Sequence, residues 1–155
     1  MLYFFLDKDH YIKIIENTSV PLIKATANSE YLNFNIDISL QAESHQGLKC
    51  VQLVKLYLQE YKVLHPLVLA LKTLLKNANL NNPYKGGLSS YGLILMLVSY
   101  IQSKLSDRQY PYLENNLSKT FIGFLNHFGV YFDYGKYIII AYPPTQIMRE
   151  NPDLE

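Results

Sequence analysis

Two hydrophobic periods divide the chain. In its first part apolar residues recur at every second position: Phe34, Ile36, Ile38 and Leu40 alternate with Asn33, Asn35, Asp37 and Ser39. That is the pattern of a strand with one apolar and one polar face. Tyr11 to Glu16 and Val20 to Thr26 are rich in β-branched residues, with Asn17-Thr18-Ser19 as a turn between them, and predict two more strands. Pro21 cannot donate a ladder hydrogen bond, which places it at a strand start or edge. From Gly47 the period becomes helical. Leu48 to Glu60 reads as a first helix. Leu64, Leu67, Val68, Leu71, Leu74, Leu75 and Ala78 then draw one stripe down a second, with Pro66 in its first turn. Asn79 to Gly87 reads as a loop, and Ser89 or Ser90 caps a third helix reaching about Lys104. This helix is apolar nearly all round and predicts the buried centre of a bundle. Ser106 to Tyr112 reads as loop. Asn115 or Asn116 caps a fourth helix that Gly129 stops, and Tyr137 to Ala141 is a candidate strand. The expected architecture is α+β: about three strands over residues 1–46, a helical domain over 47–142 and a tail over 143–155. Three strands without a helix to cover them bury little surface, which suggests missing structure upstream.

Composition fits a packed core, with 49% hydrophobic and 17% charged residues among 155. The net charge of +1 restricts any nucleic-acid contact to a local patch. Cys50 is the sole cysteine, so no internal disulfide forms, in keeping with a reducing compartment. The longest apolar run, Tyr91 to Ile101, is well short of the ~20 residues of a membrane span. Met1 to Leu6 lacks a basic leader. These features predict a soluble intracellular protein.

Asp37 is the first chemical candidate. Aspartate is a poor strand former, and its place mid-strand suits either a metal-ligating carboxylate or a solvated polar face. Lys72 and Lys76, four apart on the second helix, share a face; they suit one anion, such as a triphosphate, or a solvated flank. In Gly86-Gly87-Leu88-Ser89-Ser90-Tyr91 a glycine pair precedes a helix N-terminus bearing hydroxyls, a place that attracts phosphate. Tyr91 there suits a base stack or the core. His10, His45, His65 and His127 have no metal-ligand spacing and no serine sits in a nucleophile elbow, so none is assigned a catalytic role.

The order of these features carries a resemblance. His65 to Lys76, followed by Leu80-Asn81-Asn82-Pro83-Tyr84-Lys85-Gly86-Gly87-Leu88-Ser89-Ser90-Tyr91-Gly92-Leu93-Ile94-Leu95-Met96, resembles the central domain of the template-independent poly(A) RNA polymerases. These are polymerase-beta-like nucleotidyltransferases, and the nuclear RNA-surveillance branch is the nearest likeness. Phe34 to Ser39 resembles that family's third catalytic carboxylate strand, and Asn116 to Tyr134 its poly(A)-polymerase-associated segment. The resemblance implies a piece of a palm sheet joined to an all-helical domain, and an AMP transfer from ATP to RNA 3′ ends with Mg2+ or Mn2+. It makes Asp37 the third of three metal-binding carboxylates. Lys72, Lys76 and Ser90 become triphosphate contacts, and Tyr91 the base-stacking ring. RNA, a zinc-knuckle protein and an RNA helicase are the implied partners, and the nucleus, otherwise the cytoplasm, the implied location.

The departures are specific. The family's first two carboxylates follow a Gly-Ser turn. Asp7-Lys8-Asp9 has their spacing but no such turn, nor room for the helix expected before Asp37. Met1 to Leu6 resembles the tail of that helix instead. The base-recognition segment expected after Asn151 is absent. Cys50 stands where uridine-adding relatives commonly hold asparagine, which favours adenine addition. The expectation is an incomplete polymerase, inactive alone, with a non-catalytic partner-docking module as the alternative.

Overall fold

The computed structural model describes residues 11–18, 21–28, 33–39, 47–106, 113, 115–141 and 144–149. The readings placed on Met1 to Leu6, Asp7 to Asp9, 107–112 and the C-terminal residues from 150 lie outside them. The chain divides into two compact units, Met1–Lys49 and Cys50–Glu155.

The first unit holds β1 (Tyr11–Ile15), β2 (Leu22–Asn28) and β3 (Asn33–Ser39), joined as an antiparallel meander in the order β1-β2-β3. Register sorts the side chains by face, because successive residues of a strand point to opposite sides. Lys24 pairs with Asp37 and with Lys13, and Thr26 pairs with Asn35, on the polar face. Thr26 Oγ1 donates to Asn35 Oδ1 at 3.1 Å. The opposite face carries Ile12, Ile14, Ile23, Phe34, Ile36 and Ile38, all of them exposed.

The second unit is built on α1 (Gly47–Glu60), α2 (Leu64–Asn77), α3 (Ser90–Ser106) and α4 (Leu117–Asn126). The α2 stripe buries Leu64, Leu67, Val68 and Leu71. They meet Leu93, Leu97, Val98 and Ile101 of α3, with Tyr57 of α1 and Phe124 of α4 in the same cluster. The third helix is therefore the centre of this unit, as its sequence predicts. Asn116 caps α4, its Oδ1 accepting from the Lys119 N–H at 3.2 Å.

Two elements differ from expectation. The residues read as a tail form a strand, β5 (Pro144–Met148), antiparallel to β4 (Tyr137–Ala141) and packed with it against α3. Proline is tolerated because it stands at the first strand position, and Arg149 N–H extends the pairing to the Lys136 carbonyl at 2.8 Å. Gly129 does not stop the fourth helix. The chain runs through it in a wide π turn, His127–Tyr131, closed by Phe132 N–H to the His127 carbonyl at 2.7 Å. Gly129 has no left-handed φ, and rings packed edge-on or tilted surround the turn. Phe128 lies 5.1 Å from both Phe124 and Phe132, and Phe132 lies 4.8 Å from Tyr134, between ring centroids.

His127 sits among these rings and its Nε2 lies 3.1 Å from Gln146 Nε2. Burial lowers the imidazole's affinity for a proton. The hydrogen bond with Gln146 offsets this in part, and the Lys104 charge adds to the lowering. Since the folded value lies below the unfolded one of ~6.5, the unfolded chain binds more protons in the window beneath it. Stability is full above that pH, falls as pH drops through it, and levels off below the folded value. Urea midpoints at about pH 7.5 and pH 5 should therefore differ more for the parent than for His127→Asn.

Candidate functional site

Three of the sequence candidates of the helical unit, Lys72, Lys76 and Ser90, line one cleft. Lys72 and Lys76 are separated by one turn of α2 and put their side chains on the same wall. The loop after α2 returns the chain so that α3 begins beside them. Together Lys72, Thr73, Lys76, Asn81, Ser89 and Ser90 line a space of about 280 Å³ floored by Leu69, Leu75, Leu88 and Leu93. Ser89 is the cap, its Oγ accepting from Gly92 N–H at 2.9 Å. Ser90 is thus the first residue of α3, exposed at the rim. The helix N-terminus adds roughly half a positive charge to that of the two ammonium groups. The cleft is suited to an anion of several charges.

The loop owes its shape chiefly to its own backbone. Leu80 N–H reaches the Leu75 carbonyl, Gly87 N–H the Asn82 carbonyl and Leu88 N–H the Leu80 carbonyl, each at 2.8 Å. A single 3-10 turn, Pro83–Lys85, occupies the tip, where the Asn82 side chain accepts from Tyr84 N–H at 3.0 Å. Gly86 closes that turn at φ 80°, a left-handed conformation that favours glycine.

Tyr91 does not line the cleft. It is half-buried in the first turn of α3, beside the Cys50 thiol of α1. Burial, aided by the hydrogen bond to Cys50, pushes its phenol above the usual range and keeps it neutral. Asp37 belongs to the other unit. Its Oδ2 is 3.9 Å from Lys24 Nζ in a pair whose side chains are 60% and 50% exposed, an arrangement that contributes little to stability. Among the described residues no three His, Cys, Asp or Glu side chains gather as a metal site. Asp37, already facing a lysine, is one carboxylate and does not amount to a metal centre by itself.

Sequence reasoning missed Thr73 and Asn81, which became wall residues only once α2 and the loop met α3. It also missed a signal that was legible. From Tyr61 to Ser106 the chain carries Lys62, Lys72, Lys76, Lys85 and Lys104 and no Asp or Glu. A net charge of +1 for the whole chain conceals this basic stretch, which includes the cleft. None of Lys72, Lys76 and Lys85 forms an ion pair among the described residues.

No protein-family model matches the chain. Individual proteins do. It is 29% identical over 127 residues to the inactive noncanonical poly(A) RNA polymerase protein Trf4-2 of Drosophila melanogaster, covering 81% of this chain and 30% of that one. It is 31% identical over 128 residues to the poly(A) RNA polymerase cid14 of Schizosaccharomyces pombe, covering 79% and 18%. A solved structure of the polymerase core of TRAMP, an RNA surveillance complex, superposes with a TM-score of 0.71 at 21% identity, over 88% of this chain and 42% of that one. The solved structure shares the α+β fold, and both curated relatives are named poly(A) RNA polymerase proteins. More narrowly, the chain corresponds to part of a noncanonical poly(A) RNA polymerase. It spans less than a third of the length of these two curated relatives. Among the described residues no helix is long and apolar enough to cross a membrane.

Proposed function

We propose that this chain is part of an enzyme that transfers AMP from ATP to RNA 3′ ends, and that the α2–α3 cleft holds the triphosphate. The observation that carries the reading is the convergence of Lys72, Lys76 and Ser90 on one space at a helix N-terminus. In such a transfer the protein mainly positions the phosphates and offsets their charge. The two ammonium groups would do this from one wall, and the Ser90 hydroxyl from the other. Tyr91 is assigned to the base, with the Cys50 contact fixing its orientation. Asp37 is assigned as one carboxylate of a divalent-metal site, Mg2+ or Mn2+, which requires further carboxylates to hold the ion. The 155-residue polypeptide alone is accordingly expected to incorporate no AMP into RNA.

The likeness to a relative named inactive, and the engagement of Asp37 by Lys24, favour a second reading. In it the chain is a non-catalytic module that docks surveillance partners, such as a zinc-knuckle protein or an RNA helicase, in the nucleus.

Titration with ATP and magnesium, followed by calorimetry, separates the two. Saturable binding weakened at least about tenfold in Lys72→Ala/Lys76→Ala is expected from the loss of two charge-assisted contacts. Parent and double variant binding equally, or a folded parent that binds no ATP at millimolar concentration, would refute the cleft assignment and leave the docking module.

A further inference from the structure

Tyr84 occupies the tip of the loop that links α2 to α3, and it is 95% exposed. A ring placed there is available to stack on a flat ligand. Neither the fold nor the proposed ATP contacts employ it. Among the described residues the ring has no aromatic neighbour and its hydroxyl no hydrogen bond, while the Tyr84 backbone N–H donates to the Asn82 side chain. Lys85 follows it directly, within the stretch from Tyr61 to Ser106 that holds five lysines and no acid. The backbone hydrogen bonds that close the loop hold the tip in place before any ligand arrives. Ordering it would therefore cost little on binding. Tyr84 is three residues from Asn81, so its backbone lies within about 11 Å of the cleft wall.

We propose that Tyr84 and Lys85 form a single-stranded RNA contact, the ring stacking on a base and the ammonium meeting the neighbouring phosphate. An exposed aromatic with a cation beside it is the combination that holds single strands without reading their sequence. A protein partner would use an exposed ring within a continuous apolar patch; here Asn82, Pro83, Lys85 and Gly86 surround it. The naming of RNA rests on the polymerase reading, while the preorganised loop and the acid-free stretch of sequence do not.

The test is fluorescence anisotropy of a labelled oligoadenylate with the 155-residue chain, in parallel with the ATP titration. Tyr84→Ala should weaken RNA binding about tenfold, Tyr84→Phe should stay close to the parent, and Lys85→Ala should lower the salt slope by about 0.7. ATP affinity and thermal midpoint should be unmoved in all three, because the side chains are exposed. Equal binding by Tyr84→Ala and the parent would overturn the proposal and leave the ring to a protein partner. An equal loss in Tyr84→Phe and Tyr84→Ala would overturn stacking. A chain that binds ATP but no oligoadenylate sinks this contact and spares the nucleotide cleft. RNA binding that depends on Tyr84, without ATP binding, does the reverse.

Discussion

Leu97→Ala should destabilise the helical unit by roughly 3 kcal/mol, within the range that Leu→Ala changes produce in packed cores. Leu97 is fully buried midway along α3, the helix against which α2 and the β4–β5 hairpin pack. Its neighbours in the cluster come from three other helices, so no single element can move in to fill the space. The cost therefore combines lost transfer energy with an uncollapsed cavity. Single domains are stable by only about 5–15 kcal/mol, so the shift is a large share of the total. In urea it corresponds to a midpoint lowered by about 1–2 M. Leu105→Ala supplies the control on the same helix. That side chain is exposed, and its loss should cost under about 1 kcal/mol. Similar midpoints for the two variants would show that α3 is not the packing centre.

Gly87→Ala should distort the cleft as well as lower stability. A Cβ at this position would stand 2.5 Å from the Leu80 carbonyl oxygen and 2.8 Å from the Asn82 nitrogen. Both are backbone atoms, which cannot rotate away as a side chain would. Relief requires opening the loop, at the expense of the Leu88 N–H to Leu80 hydrogen bond. Overpacking of this kind costs about 1–3 kcal/mol. Asn81, Leu88 and Ser89 would move with the loop, so ATP binding should fall even though no atom that meets the nucleotide has changed. Gly129→Ala is the comparison, since a Cβ there meets nothing within 4 Å and leaves the unit at least as stable. If Gly87→Ala melts and binds ATP like the parent, the loop does not shape the site.

The parts of this structure that were legible in the sequence are those governed by local periodicity. The alternation of Phe34, Ile36 and Ile38 gave β3, the stripe on α2 gave its buried face, and the nearly uniform apolarity of α3 gave its central place. The choices between paired serines and asparagines fell to Ser89 and Asn116 once hydrogen bonds were visible. What escaped depends on distant partners. Thr145-Gln146-Ile147-Met148 is too short to announce a strand and becomes one by pairing with Tyr137–Ala141. The π turn is surrounded by rings from several positions, packed edge-on or tilted against one another. The ion pair of Asp37 follows from register against β2, which the β3 sequence alone does not contain. Lys72 and Lys76 were readable as a pair, but their meeting with Ser90 and Asn81 is a product of the loop.

That loop has an evolutionary consequence. Its closure uses backbone groups, two glycines and the Asn82 amide, so the side chains at 84 and 85 contribute nothing to its shape. A saturation library scored for folding should accept almost any residue at those two positions while rejecting most at 82, 86 and 87. Selection can then retune what the tip touches, one substitution at a time, without loosening the architecture that presents it.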